Sequence, residues 1–487
     1  MGVTTPAEAP ARGFFGHPRG LANLFGTEMW ERFSYYGMQA ILAYYLYYSV
    51  TDGGLGMSKA SAAGLVGAYG GLAYLAGVGG AWVADRLLGP ERTVFFGGVF
   101  IMCGHIVLAV IPGLTGVAVG LVLVIIGTGG LKSNVAALVG TLYADGDERR
   151  DAGFSLFYMG VNLGAMFGPI ITGWLQTDVS FHVGFGAAAV GMAAGLTQYV
   201  LGRRNLGAHA RVVPNPLDAP ARIRAGAIVA VGVAVVAVLL VTGVITTDNL
   251  AKVVTWVVVS AALALFAVIL TSRKITPVER SRVFAFVPLF IASFGFWSLF
   301  QQQFTVLPIY ADSRVGLDAL GFHIPPAVFN SVEPAFVIIL APVFAYLWTR
   351  LGDRQPSTPV KFSLGVAGMG VAFLLMVAIS ATGSGATVNP LLLALVLVVF
   401  ALAEMCLSPV GLSVSTKLAP KVFESQMVAL FYLSIAAGSS LAGELAGLYN
   451  ADNEPAYFGI LGGAAIVLGL ILFAFTPPLR RLMQGVR

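Results

Sequence analysis

Charge is what this chain has least of. Asp, Glu, Lys and Arg make up 10% of its 487 residues, against 57% hydrophobic residues, where soluble domains carry about 25% charged residues. So few charges cannot cover a water-facing surface, which excludes a soluble globular protein. The two cysteines, Cys103 and Cys406, both lie inside apolar runs and exclude a disulfide framework. The five histidines show no metal-ligand spacing, and the chain has no nucleotide-binding loop or nucleophile constellation, which argues against a membrane enzyme and against a metal or other cofactor. Residues 1–20 lack the apolar core of roughly 7 to 15 residues that a signal peptide needs, so the first apolar segment is expected to be retained.

What is present instead is long apolar sequence. Stretches of about 20 apolar residues suffice to span a bilayer, and they predict an all-α polytopic membrane protein with about fourteen transmembrane helices. The reading divides into a tail over 1–20, a six-helix bundle over 21–202, a polar linker over 203–222, an inserted helix pair over 223–272, a second six-helix bundle over 273–478 and a tail over 479–487. The inserted pair is rich in Val and Ala and nearly free of polar residues, which predicts that it faces lipid. Without it the arrangement is six plus six, that of a two-bundle transporter with its site between the halves near the midplane. The 60 glycines and 24 prolines suit close helix packing and kinks.

Positive charge falls in every second connection, from Arg86 and Arg92 through Arg149 and Arg150 to Arg480 and Arg481. Because Lys and Arg accumulate on the cytoplasmic side, both termini are expected in the cytoplasm, as in a multi-pass plasma (inner) membrane protein. This bias accounts for the net charge of +5, so no nucleic-acid partner is needed beyond the lipid bilayer.

The most informative run opens the first apolar segment: Glu28, Glu31, Arg32, Tyr35 and Tyr36, followed by Gln39. A charge at the centre of a membrane helix costs about 3 kcal/mol on insertion scales, so such a cluster marks a functional site that moves protons or charged solutes. At 100° per residue these six side chains share an arc of about 140°. A polar face of that kind lines a cavity or pairs with another helix.

Further along, Gly80 to Gly89 resembles the Gly-x-x-x-Asp-Arg-x-x-Gly signature of the major facilitator superfamily, with a second copy at Arg350 to Arg354. The resemblance implies a major facilitator fold in which Asp85 and Arg86 cap helix ends and pair across a bundle as a gate. The first-helix run is very similar to that of the proton-dependent oligopeptide transporter family, bacterial branch. Gly127 to Lys132, Phe157 to Asn162, Phe296 to Phe300, and Glu404 ahead of Ser408 to Ser413 match in order.

That resemblance implies proton-coupled symport of di- and tripeptides by alternating access, driven by the proton gradient in a monomer. It gives Lys132 the peptide carboxylate and Glu404 the peptide amine. Tyr35, Tyr36, Tyr74 and Asn162 would hydrogen-bond the peptide, and Trp297, Phe300 and Phe431 would wall the pocket. Lys132 can also neutralise Glu28 or Glu31. A peptide that draws it away removes a cation favouring their charged form, which links protonation to binding. A same-fold carrier of nitrate or an organic acid is the alternative.

The chain departs from the family in two places. Where many members carry an Arg and an acid that pair, it has Gln39 and Gln301, which predicts a Gln39 to Gln301 contact in place of a gating salt bridge. Glu333 stands where Asn is commoner, and either binds a proton or the peptide amine, or sits at a solvated kink before Pro334. His105 is read as a packed residue.

Overall fold

The computed structural model describes residues 13–144, 147, 149–319, 322–381 and 387–486. The first bundle is built from α1 (Arg19–Tyr47), α2 (Lys59–Val83), α3 (Pro90–Val110), α4 (Gly113–Thr141), α5 (Arg149–Asp178) and α6 (Phe181–Gly202). The inserted pair is α7 (Ala219–Val241) and α8 (Leu250–Thr271). The second bundle comprises α9 (Pro277–Phe300), α10 (Val306–Arg314), α11 (Val332–Leu351), α12 (Thr358–Ser380), α13 (Pro390–Lys417), α14 (Glu424–Ala446), α15 (Glu454–Ala474) and a short α16 (Thr476–Leu482). Thirteen helices among the described residues are long and apolar enough to cross a membrane. The polar α1, 29 residues long, is not among them. The all-α, two-bundle expectation therefore holds, apart from a two-residue hairpin at Asp318–Ala319 and Phe322–His323.

Two expectations need correction. The span predicted over 283–311 is not continuous: α9 stops at Phe300, a 3-10 turn covers Gln301–Phe304, and α10 begins at Val306. Pro308 has no N–H for the Phe304 carbonyl, so the helical ladder is interrupted there. The inserted pair is not uniformly peripheral. No residue of α7 is buried, whereas α8 presses Val254, Val258, Ala262 and Phe266 inward and packs against α2 and α14. The spacing of four residues between those side chains gives α8 an apolar stripe for a protein neighbour; α7 has bulky residues at the same spacing, Val231, Val235 and Leu239, but none is buried.

Among the described residues the bundles meet at the end that holds Tyr47, Lys59 and Asp312. Here α2 lies against α14 through small residues: a Cβ on Gly67 would stand 2.6 Å from the Gly443 Cα, and one on Gly71 would stand 2.9 Å from the Ala436 carbonyl. A Cβ on Gly173 of α5 would meet Ala327 at 3.1 Å. The hydroxyls of Tyr47 and Tyr48 on α1 donate to Asp312 of α10 at 3.0 and 2.6 Å. Eleven residues past Gly67 and Gly71, on the same face of α2, Val78 and Trp82 are 38% and 41% exposed. The molecule is thus closed at the tyrosine end and open at the end that carries both termini.

This seam depends on glycine. Overpacking it is expected to cost about 1–3 kcal/mol and to part the bundles. With Cys103 and Cys406 replaced by Ala, Ser440→Cys should resist a membrane-impermeant maleimide, and adding Gly67→Val should make it reactive. Equal reactivity in both would show that the seam does not rest on the glycine contact.

Candidate functional site

The polar face of α1 is held in place by small residues of its neighbour. Glycines of α5 let the two backbones touch: a Cβ on Gly168 would lie 2.5 Å from the Phe33 carbonyl, and Thr172 Oγ1 donates to the Gly37 carbonyl at 2.8 Å. Along this face Arg32 Nε lies 2.8 Å from Glu28 Oε1, one helical turn back, and 3.0 Å from Glu31 Oε2. All three side chains are buried, Glu31 completely. No donor among the described residues makes a hydrogen bond to either Glu31 oxygen or to Glu28 Oε2. The cluster therefore holds spare acceptor capacity in the apolar interior. The Arg32 guanidinium stands 5.7 Å from the centre of the Tyr35 ring, and Tyr35 stacks on Tyr69 at 6.0 Å.

Lys132 projects from α4 toward this cluster without forming an ion pair in it. Its ammonium stands 3.6 Å from the centre of the Tyr74 ring, a cation–π contact. The charges that reach it are those of Arg32, Glu31 and Glu28. Tyr74 in turn lies within electrostatic reach of Arg32 and Glu31 of the first bundle and of Tyr432 and Glu404 of the second.

Across the gap, Glu404 of α13 and Glu333 in the first turn of α11 lie within electrostatic reach of each other, with Ser408 one turn along α13 from Glu404. Both glutamates are buried, so Glu333 is not at a solvated kink. Asn162 donates to the Tyr158 carbonyl at 2.9 Å on its own helix, and Tyr158 lies within electrostatic reach of Glu404, Glu333 and Tyr36. Tyr36 stacks on Phe304 at 6.0 Å, joining the two bundles. Trp297, Phe300 and Phe431 are buried in the apolar core of the second bundle.

Two readings of the gates need correction. Gln39 and Gln301 are both buried, but no hydrogen bond joins them, and Gln39 Oε1 has no partner. The cross-bundle polar contact sits two turns farther along α1, at Tyr47, Tyr48 and Asp312. Asp85 and Arg86 pair with each other at 3.3 Å and do not reach across to the second bundle. They tie down the linker: Asn215 Nδ2 donates to Asp85 Oδ1 at 2.9 Å, and the Leu217 N–H donates to the Arg86 carbonyl at 3.2 Å. The side chain of Asp353, in the second copy of that signature, lies outside the described residues. His105 is fully buried with neither ring nitrogen hydrogen-bonded.

Sequence reasoning missed Tyr158, Phe304, Tyr69 and Asp312. Tyr158 had a signal, since it stands four residues before Asn162 on one helical face. Asp312 had little, because its partners lie 264 and 265 residues away. No cluster of three or more metal-ligating side chains occurs among the described residues.

Comparison with known proteins agrees with this architecture. A family profile described as the POT family matches residues 91–461. An uncharacterized transporter of Bacillus subtilis (strain 168) is 47% identical over 98% of this chain and 97% of its own length. A di-/tripeptide transporter of Lactococcus lactis subsp. lactis (strain IL1403) is 41% identical over 97% and 98%. The crystal structure of a mutant of the peptide transporter POT in complex with alafosfalin superposes with a TM-score of 0.93 at 49% identity, covering 98% of each chain. With both bundles, the α1 cluster and the family profile in agreement, this chain belongs to the POT family and is, like these relatives, a multi-pass membrane transporter.

Proposed function

We propose that this transporter moves di- and tripeptides together with protons across the plasma (inner) membrane, with both termini and the open end facing the cytoplasm. The observation that carries this reading is the state of Lys132: a cation deep in the bundle, resting on the Tyr74 ring and bonded to no carboxylate. It is a flexible point charge available to a substrate carboxylate. A relative named a di-/tripeptide transporter, and a structural neighbour that binds alafosfalin, favour a small peptide as the bearer of that carboxylate.

The peptide amine would go to the glutamate pair opposite. With one proton between them, Glu333 and Glu404 together carry a single negative charge, which matches one ammonium. On the first bundle, a peptide carboxylate at Lys132 weakens the hold of that cation on Glu31 and Glu28. Glu31, fully buried and without a hydrogen-bond donor, then takes a proton. Binding and protonation thus favour each other, and the carrier needs no cofactor beyond the proton gradient. A carrier of nitrate or another lone anion fits less well, because it offers the Glu333 and Glu404 pair no cation.

In liposomes holding the purified protein, a labelled dipeptide should accumulate only under an inward proton gradient. Exchange without gradient-driven accumulation would remove the coupling while leaving peptide binding. Lys132→Ala should weaken peptide binding by about 2 kcal/mol or more, roughly 30-fold in Kd, and abolish accumulation; full activity would refute the linkage through this residue. Glu333→Asn removes the shared proton and should change the pH profile of uptake. A profile identical to that of the unaltered protein would free Glu333 of any proton role.

A further inference from the structure

A second cavity, of about 680 Å³, lies away from the charged site. Its walls are Trp348 at the end of α11, Gln355 in the following turn, Lys361 in the first turns of α12, Ser413 and Lys417 on α13, and Arg480 on α16. Ser413 stands about 180° around α13 from Glu404 at 100° per residue, so this cavity opens on the opposite side of that helix. It is near the end that holds both termini, where α11 is thinly covered: Val343 and Tyr346 are 54% and 65% exposed.

The chemistry of the cavity is one-sided. Lys361, Lys417 and Arg480 line it, and no acid does among the described residues. Lys361 is only 8% exposed. Its ammonium donates to Gln355 Oε1 at 2.7 Å and stands 4.4 Å from the centre of the Trp348 ring. Among the described residues, the ionisable groups within its electrostatic reach are Lys417, a like charge, and the Cys406 thiol. A buried ammonium beside another cation is unfavourable unless an anion completes it. The amide oxygen of Gln355 and the Trp348 ring occupy part of its donor capacity and supply no net negative charge.

The walls continue as apolar surface. Phe344 packs edge-on against Trp348 at 5.7 Å. Leu364, one helical turn beyond the lining residue Val360, is 48% exposed. Basic side chains and a tryptophan beneath an apolar track are the features that receive a lipid headgroup at a membrane interface. We propose that this cavity binds the phosphate of an anionic membrane lipid, with its acyl chains along Phe344 and Leu364.

The full-length protein in detergent, titrated with phosphatidylglycerol and followed by native mass spectrometry, tests this. Phosphatidylglycerol should bind about fivefold more tightly than phosphatidylcholine, and Lys361→Gln should remove about that factor, the scale of one phosphate-facing charge. Because Lys361 is buried, the pair Lys417→Gln and Arg480→Gln, on exposed side chains, should weaken binding similarly with α12 packing untouched. Glycerol 3-phosphate has the same phosphate without chains and should not compete; competition at equal concentration would make this a soluble-phosphate site and overturn the lipid assignment. Equal binding of the two lipids, or phosphatidylglycerol binding untouched in both variants, would overturn the site itself.

Discussion

The first bundle is organised around the need to balance charge where water is scarce. Glu28 and Glu31 set two formal negative charges on α1; Arg32 beside them and Lys132 on α4 set two positive ones. Removing one member of such a buried set leaves an uncompensated charge that costs several kcal/mol. The geometry divides the set unequally. Arg32 is locked between the two acids at 2.8 and 3.0 Å, while Lys132 is held only by a ring. In the proposed function the loosely held cation is the one an incoming anion recruits, and the acids left behind are the ones that would then need a proton. Glycines of α5 and Thr172 hold the α1 backbone beneath this set.

The second bundle solves the same problem differently. Among the described residues it sets no basic side chain against Glu404; it sets another acid, Glu333, within reach of it, and in the proposed function a shared proton takes the place that Arg32 has in the first bundle. The departures from the family pattern fit together on this view. Gln39 and Gln301 remove one charge of each sign, and closure at that end passes to contacts that need no such pair: tight glycine packing of α2 on α14, Tyr36 on Phe304, and tyrosine hydroxyls on the part-buried Asp312 carboxylate.

The sequence made the site legible because charge in an apolar run has few bland explanations. Glu31, Arg32, Lys132, Glu333 and Glu404 each stand out against their neighbours, and the helices around them are long enough for their ends to be placed within a few residues. Pairing was far less legible. Asp85 and Arg86 looked like a cross-bundle gate, yet Asn215 in the linker satisfies Asp85 instead; a short polar side chain 130 residues away leaves no periodic trace. The break after Phe300 was hidden for a related reason: the glutamines that follow are as compatible with a helix as with a 3-10 turn, and only Pro308 points to the interruption. The contrast between α7 and α8 was invisible in the sequence, because both are Val- and Ala-rich and both carry bulky residues four apart.

One helix connects the events at the two ends of the second bundle. Glu333 occupies the first turn of α11 and Trp348 its last, and the helix between is poorly covered, with Ile339, Val343 and Tyr346 all more than half exposed. A helix with so little packing of its own is positioned mainly by what grips its ends. At one end the grip is the carboxyl pair with Glu404, which a substrate ammonium would alter. At the other it is the cation–π contact of Trp348 with Lys361. If a peptide at the first and an anion at the second both biased the position of α11, each would change the affinity for the other by the same factor.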